Sequence, residues 1–127
     1  MRIAINALII KNGKVLLVRK GETWILPGGK LEEGENDLQC LSREVAEELS
    51  GTKLCNVLFY GEFEGQTPHK KDILKARVYF ADIDGELYGV RKGDSILEAN
   101  WVDNIFGCKL SDITFKIITS LKREGYL

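Results

Sequence analysis

Histidine occurs once, at His69, and the three cysteines, Cys40, Cys55 and Cys108, are widely spaced with no C-x-x-C pair. That set cannot assemble a usual zinc site, and its odd number argues against a disulfide framework. Buried thiols in a reducing cytosol are the expectation. Neither charge sign is in excess: 18 basic residues face 19 acidic ones, for a net charge of -1. No global positive field draws the chain onto polymeric DNA or RNA. Long apolar runs are lacking too, none approaching the ~18 residues of a membrane span. The apolar stretch Ile3–Ile10 is interrupted by Asn6, has no small-residue cleavage site and ends at a turn, so it reads as a first strand rather than a leader. A soluble cytoplasmic protein is expected.

What is present suits one compact domain over residues 1–127, with 44% apolar content and no repeat, low-complexity tract or linker. Residues 2–10 and 14–20 flank Asn12-Gly13, the dipeptide suited to the positive φ angles of a tight hairpin, and are expected to pair antiparallel. A short extended piece, Thr23 to Leu26, leads into Pro27-Gly28-Gly29, where adjacent glycines open a backbone path closed to other residues. Asn36 or Asp37 is placed to cap a helix running to about Leu49 or Ser50, stopped by Gly51. Two β-rich runs follow, Leu54 to Glu64 and Ile73 to Ile83, joined by a polar connector over 65–72. Asp84-Gly85 reads as another turn, Ala99 to Asp103 as a last strand, and Ser111 or Asp112 as the cap of a helix burying Ile113, Ile117, Ile118 and Leu121. The succession implies a mixed, layered α/β domain.

In the first helix, Leu38, Leu41, Val45 and Leu49 fall on one arc at about 100° per residue, the face expected to pack on a sheet. Glu44, Glu47 and Glu48 fall on a second arc beside it. Like charges at this spacing cost an isolated helix a few tenths of a kcal/mol per pair, roughly, so helix stability does not explain them. A hard divalent cation compensates such a cluster, because magnesium takes oxygen ligands and is commonly shared between carboxylates and substrate phosphates. Taken alone, the triplet reads as an ordinary acidic face, neutralised by neighbours such as Arg43.

The wider pattern changes that reading. Gly29, Glu35, Arg43, Glu44, Val45, Ala46, Glu47 and Glu48 stand at the spacings of G-x5-E-x7-R-E-U-x-E-E-x-G-U, with U aliphatic, and Trp24 to Gly29 resembles the usual approach to it. The chain thus resembles the Nudix hydrolases of MutT type. The match covers about a fifth of the chain, and departs at its end, where Ser50 stands at the glycine position and Gly51 follows. That reads as one inserted residue and a slightly longer helix.

The resemblance implies an α/β/α sandwich with a mixed central sheet, and a magnesium-dependent hydrolase, with manganese a possible substitute. Its diphosphate linkage would belong to a nucleoside triphosphate or another nucleoside diphosphate derivative. It implies that the Gly28 carbonyl and the carboxylates of Glu44, Glu47 and Glu48 bind the metal, with Gly28 and Gly29 beside the substrate. Glu35 and Arg43 are implied to pair, fixing loop against helix. The general base is Glu44, or Glu98 from the later polar run, or no dedicated residue.

Outside the box, Lys70 and Lys71 are candidates for substrate phosphates, against the plainer reading of solvated loop lysines. Trp24, Tyr60 and Phe63 are candidates to stack on a base, against the plainer reading of core aromatics. His69 reads as an exposed histidine. Pro68 lies where ADP-ribose hydrolases of the family resemble one another in carrying a proline, which keeps that substrate open. A nucleotide-binding module without turnover and a merely structural or calcium-binding acidic surface are the rivals; the full acidic set opposes the first, and the lack of EF-hand spacing the second. The partner is a small nucleotide, and the chain a monomer or a homodimer.

Overall fold

The structure, a computed structural model, describes residues 2–66, 72–86, 96–103 and 107–127. Among these, the chain runs β1 (Arg2–Leu8), β2 (Ile10–Lys11), β3 (Lys14–Lys20), β4 (Thr23–Ile25), β5 (Gly28–Lys30), α1 (Asp37–Glu48), β6 (Thr52–Gln66), β7 (Ile73–Gly85), β8 (Ile96–Val102) and α2 (Asp112–Arg123). One sheet has the order β5-β1-β7-β6, with β1 and β7 parallel and the other pairs antiparallel. In the second sheet, β3 pairs with β2, β4 and β8, all antiparallel.

Strand alternation explains how two helices cover the sheets. Ile5, Ala7, Leu16 and Val18 pack with Cys40, Leu41 and Val45 of α1 and with Leu49, which follows it. Their neighbours of opposite parity, Leu8, Val15 and Leu17, pack with Ile113, Ile117, Ile118 and Leu121 of α2. Both faces of β1 and β3 are therefore buried, which is why their sequences read as near-continuous apolar runs. The result is the α/β/α sandwich with a mixed sheet that the sequence implied. No helix among the described residues is long and apolar enough to cross a membrane.

Three expectations change. The hairpin at Asn12-Gly13 joins only β2 to β3; β1 leaves at Ile9 for the other sheet, between β5 and β7. Turn chemistry fixes the two-residue connection, whereas pairing of the longer run is decided by which neighbours bury both its faces. Asp84-Gly85 is no turn but the end of β7, where Asp84 pairs with Lys53 and Gly85 with Thr52. Gly85 has φ +98°, and a side chain there would strike the Gly51 carbonyl. Leu38 is 54% exposed, and Cys40 is buried instead. Periodicity gives an angle about the helix axis, not how far along it the sheet extends.

The start of α1 is fixed on both sides. Asn36 caps it: its side chain accepts from the Gln39 N–H at 2.8 Å, and the Gln39 side chain accepts from the Asn36 N–H at 2.9 Å, a reciprocal box contributing about 1 kcal/mol. Asp37 is thereby left to accept from Arg77 at 2.8 Å and from the Tyr79 hydroxyl, tying the first turn to β7. Ser111 caps α2, accepting from the Thr114 N–H.

Candidate functional site

The chain leaves β4 through Leu26 and Pro27 and enters β5 at Gly28, which has φ +139°. A side chain at Gly28 would collide with the Ile5 carbonyl, so only glycine lets the turn lie this close to β1. The turn is held there by the Ala7 N–H, which donates to the Pro27 carbonyl at 2.8 Å. Gly29 lies under the end of Glu44: an added Cβ would stand 2.5 and 2.6 Å from its two carboxylate oxygens.

The three glutamates of α1 are not equivalent. Glu48 lies on the buried face, 6% exposed, and accepts from the Gly28 N–H at 2.7 Å. The Glu44 side chain is 16% exposed; burial raises its carboxyl pKa, against the lowering effect of the Arg43 hydrogen bond. Glu47 faces outward, its side chain 42% exposed and 3.7 Å from Arg43. Among the described residues, no three Asp, Glu, His or Cys side chains converge as a ready metal cluster. Glu44 and Glu47 lean on Arg43, while Glu48 engages Gly28.

Arg43 is the hub of the outer side. Its guanidinium donates to both oxygens of Glu35, at 3.2 and 2.8 Å, to Glu44 at 2.8 Å and to the Lys30 carbonyl at 3.3 Å. These bonds raise its own pKa further, Glu35 contributing most. Glu35 is held down to about 2, chiefly by the Arg43 hydrogen bond and then by the Glu32 N–H, which donates at 2.8 Å. Cys40, fully buried beneath this hub with its thiol 3.5 Å from the Lys30 carbonyl, is pushed up to about 12 by burial and then by the Glu35 charge.

A cleft of about 710 Å³ opens over this corner, lined among others by Asn6, Gly28, Gly29, Lys30, Glu44 and Glu48. The remaining sequence candidates lie elsewhere. Glu98 stands opposite Arg19 across β3 and β8 and forms an ion pair with it at 3.0 Å; it does not line the cleft. Trp24 is half-buried against the α2 cluster, its backbone N–H donates to the Lys109 carbonyl, and it is not among the cleft-lining residues. Tyr60 and Phe63 stack on each other in that same cluster. Pro68, His69, Lys70 and Lys71 fall outside the described residues. Sequence reasoning missed Lys20, Lys30, Ser111 and Thr114 as cleft residues, and treated Asn6 only as a break in an apolar run.

A family model described as the NUDIX domain matches residues 1–104. The chain belongs to the NUDIX family. Its structure is similar to that of the MutT NUDIX hydrolase from Burkholderia pseudomallei, at 25% identity and TM-score 0.78, covering 93% of this chain and 95% of that one. It is also similar to a NUDIX hydrolase from Nitrosomonas europaea, at 21% identity and TM-score 0.78, over 97% and 89% of the two chains. The NUDIX domain of Shewanella oneidensis NrtR, solved in complex with ADP ribose, matches at 17% identity and TM-score 0.76, over 96% and 86%. As a MutT-type Nudix hydrolase the chain is a pyrophosphohydrolase, acting on phosphoanhydride bonds of nucleoside diphosphate derivatives, and enzymes of this family generally use a divalent metal.

The irregular end of this Nudix box has a local explanation. The helix does not lengthen: α1 ends at Glu48 with Leu49 as its C-cap, and Gly51 takes φ +86°. The Thr52 N–H and hydroxyl both donate to the Leu49 carbonyl, at 3.2 and 2.8 Å. The extra residue is absorbed in the turn, and the glutamates upstream keep their places.

Proposed function

We propose that the chain is a magnesium-dependent hydrolase of a nucleoside triphosphate or another nucleoside diphosphate derivative, with manganese able to replace magnesium. The observation that carries this reading is the corner where the Pro27-Gly28-Gly29 turn meets the end of α1, with Glu44 and Glu48 opening together on one cleft. Its chemistry fits a hard cation. All the donors are carboxylate or carbonyl oxygens, and burial already disfavours the negative charge on Glu44, which a cation would relieve. Gly29 leaves Glu44 the space a side chain would take.

Glu44, Glu47, Glu48 and the Gly28 carbonyl would hold the metal. When bound, it supplies neutralisation of charge on the phosphoryl oxygens and a more acidic water. The residues of the chain do the rest. Arg43 and Glu35 fasten the loop to α1 and hold Glu44 in place. Glu44, which lines the cleft, accepts the proton of the attacking water in preference to Glu98, which pairs with Arg19 and is not among the cleft-lining residues. Gly28 and Gly29 let the substrate approach the backbone, while Lys20 and Lys30 face its phosphates. Bond cleavage then releases two phosphate-bearing products.

The experiment is product detection across nucleoside triphosphates, dinucleoside polyphosphates, ADP-ribose and nucleotide sugars, with magnesium or EDTA and with Glu48→Gln in parallel. Cleavage of one class that requires both metal and Glu48 is expected. Nucleotide binding with no metal-dependent product would turn the reading to a sensor module.

A further inference from the structure

Asn6 is the polar residue in the otherwise apolar run of β1, between Ile5 and Ala7, both fully buried. Asn6 itself is half-buried, and an amide withdrawn even in part from water costs stability unless it is bonded. Its Nδ2 donates to the Leu26 carbonyl at 3.2 Å and to the Pro27 carbonyl at 3.4 Å. Because both partners are carbonyls, only the NH2 side can face them; turning the amide round would set oxygen against oxygen. We infer that Asn6 is a positioning residue of the site, clamping the Leu26-Pro27 turn so that the Gly28 N–H stays aimed at Glu48. The inference rests on the role proposed for Glu48 above.

The turn is short and needs holding from both ends. Gly28 carries no side chain to lock it, and Pro27 has no N–H with which to join a ladder. Its two carbonyls are gripped from the β1 side by Asn6 and by the Ala7 N–H, and the next N–H is gripped from the α1 side by Glu48 at 2.7 Å. Asn6 is also the residue across the ladder from Gly28, so its amide reaches back over the bend it pairs with. Among the described residues its side chain makes no other hydrogen bond. It lines the same cleft as Glu44 and Glu48. Releasing the two carbonyls frees the Gly28 peptide to rotate, and the carboxylate that its N–H orients then loses its fixed direction.

The test compares wild type with Asn6→Ala and with Asn6→Asp, which keeps the shape but puts anionic oxygens against both carbonyls. Amide hydrogen exchange is read at Gly28 by NMR on the metal-free protein, with the amides of Val45 and Leu16 reporting global opening. Gly28 exchange should rise about five- to tenfold in Asn6→Ala, the size of a lost neutral hydrogen bond, while the reference amides stay put. The kcat should fall by a similar factor with KM unchanged, and more in Asn6→Asp. Unchanged Gly28 exchange, or acceleration shared equally by all three amides, overturns the inference. If Asn6→Asp does not fold, Asn6→Ala decides alone. Should the wild type hydrolyse no candidate substrate, the activity reading fails while the exchange comparison still decides the clamp.

Discussion

The Gly28 N–H donates to the Glu48 carboxylate at 2.7 Å, joining the glycine turn to the buried face of α1 across 20 residues of sequence. A carboxylate this buried has its orientation set by the backbone rather than by solvent. Glu48→Gln keeps an oxygen able to accept that N–H but loses the charge. It should melt within a few degrees of wild type while kcat falls by about 100-fold or more. Thermal unfolding and turnover, measured on the same preparation, check this; a fully active variant would remove Glu48 from the proposed metal site.

The two glycines of the turn should respond differently to alanine. At Gly28 the new Cβ meets the Ile5 backbone, and φ is in the region side chains disfavour, so Gly28→Ala should lose roughly 3 kcal/mol or more. At Gly29 the obstacle is the flexible end of Glu44, which can swing away. Gly29→Ala should therefore stay folded and lose activity. Urea unfolding with parallel kinetics separates the two; equal destabilisation would contradict the geometry.

Glu35 gives a pH signature. The Arg43 guanidinium holds its carboxyl at about 2, below the ordinary 4.5, so its contribution to stability is present above pH 4.5 and is lost as pH falls toward 2. The gap in unfolding free energy between wild type and Glu35→Gln should be constant near neutrality and close between those values. A gap that does not depend on pH down to 2 would rule out the ion pair as its source.

Cys40 is buried with its pKa raised to about 12, whereas Cys55 and Cys108 are partly exposed. A disulfide reagent at pH 8 should label two thiols in the native protein and the third only after unfolding. Rapid labelling of Cys40, located by peptide mapping, would show that the hub above it opens readily.

Much of this was legible in the sequence because local chemistry decides it. Asn36 caps α1, Ser111 caps α2, and the spacing from Gly29 to Glu48 announces both family and acidic cluster. What escaped depends on contacts between distant segments. Periodicity set Glu48 beside the apolar arc, but the Gly28 turn draws it into the buried face. Asn6 carried no motif, and its partners Leu26 and Pro27 are identifiable only once β1 and β5 lie side by side. Trp24, a candidate to stack on a base, and Glu98, a candidate general base, gave no sign in the sequence of their contacts with the α2 cluster and with Arg19.

The parallel ladder of β1 and β7 pairs Arg2 with Leu74 and Leu8 with Phe80. During synthesis β1 is made well before β7, the strand that completes this ladder. Contacts of such sequence separation form slowly, because a large loop must close before they give any return. The glycine turn and α1 can begin to form beforehand, but β1, the strand against which the turn is seated, stays half-covered until β7 arrives. The corner where the glycine turn meets α1 should thus mature only after β7 has been made, and the nascent chain is most exposed to aggregation in that interval.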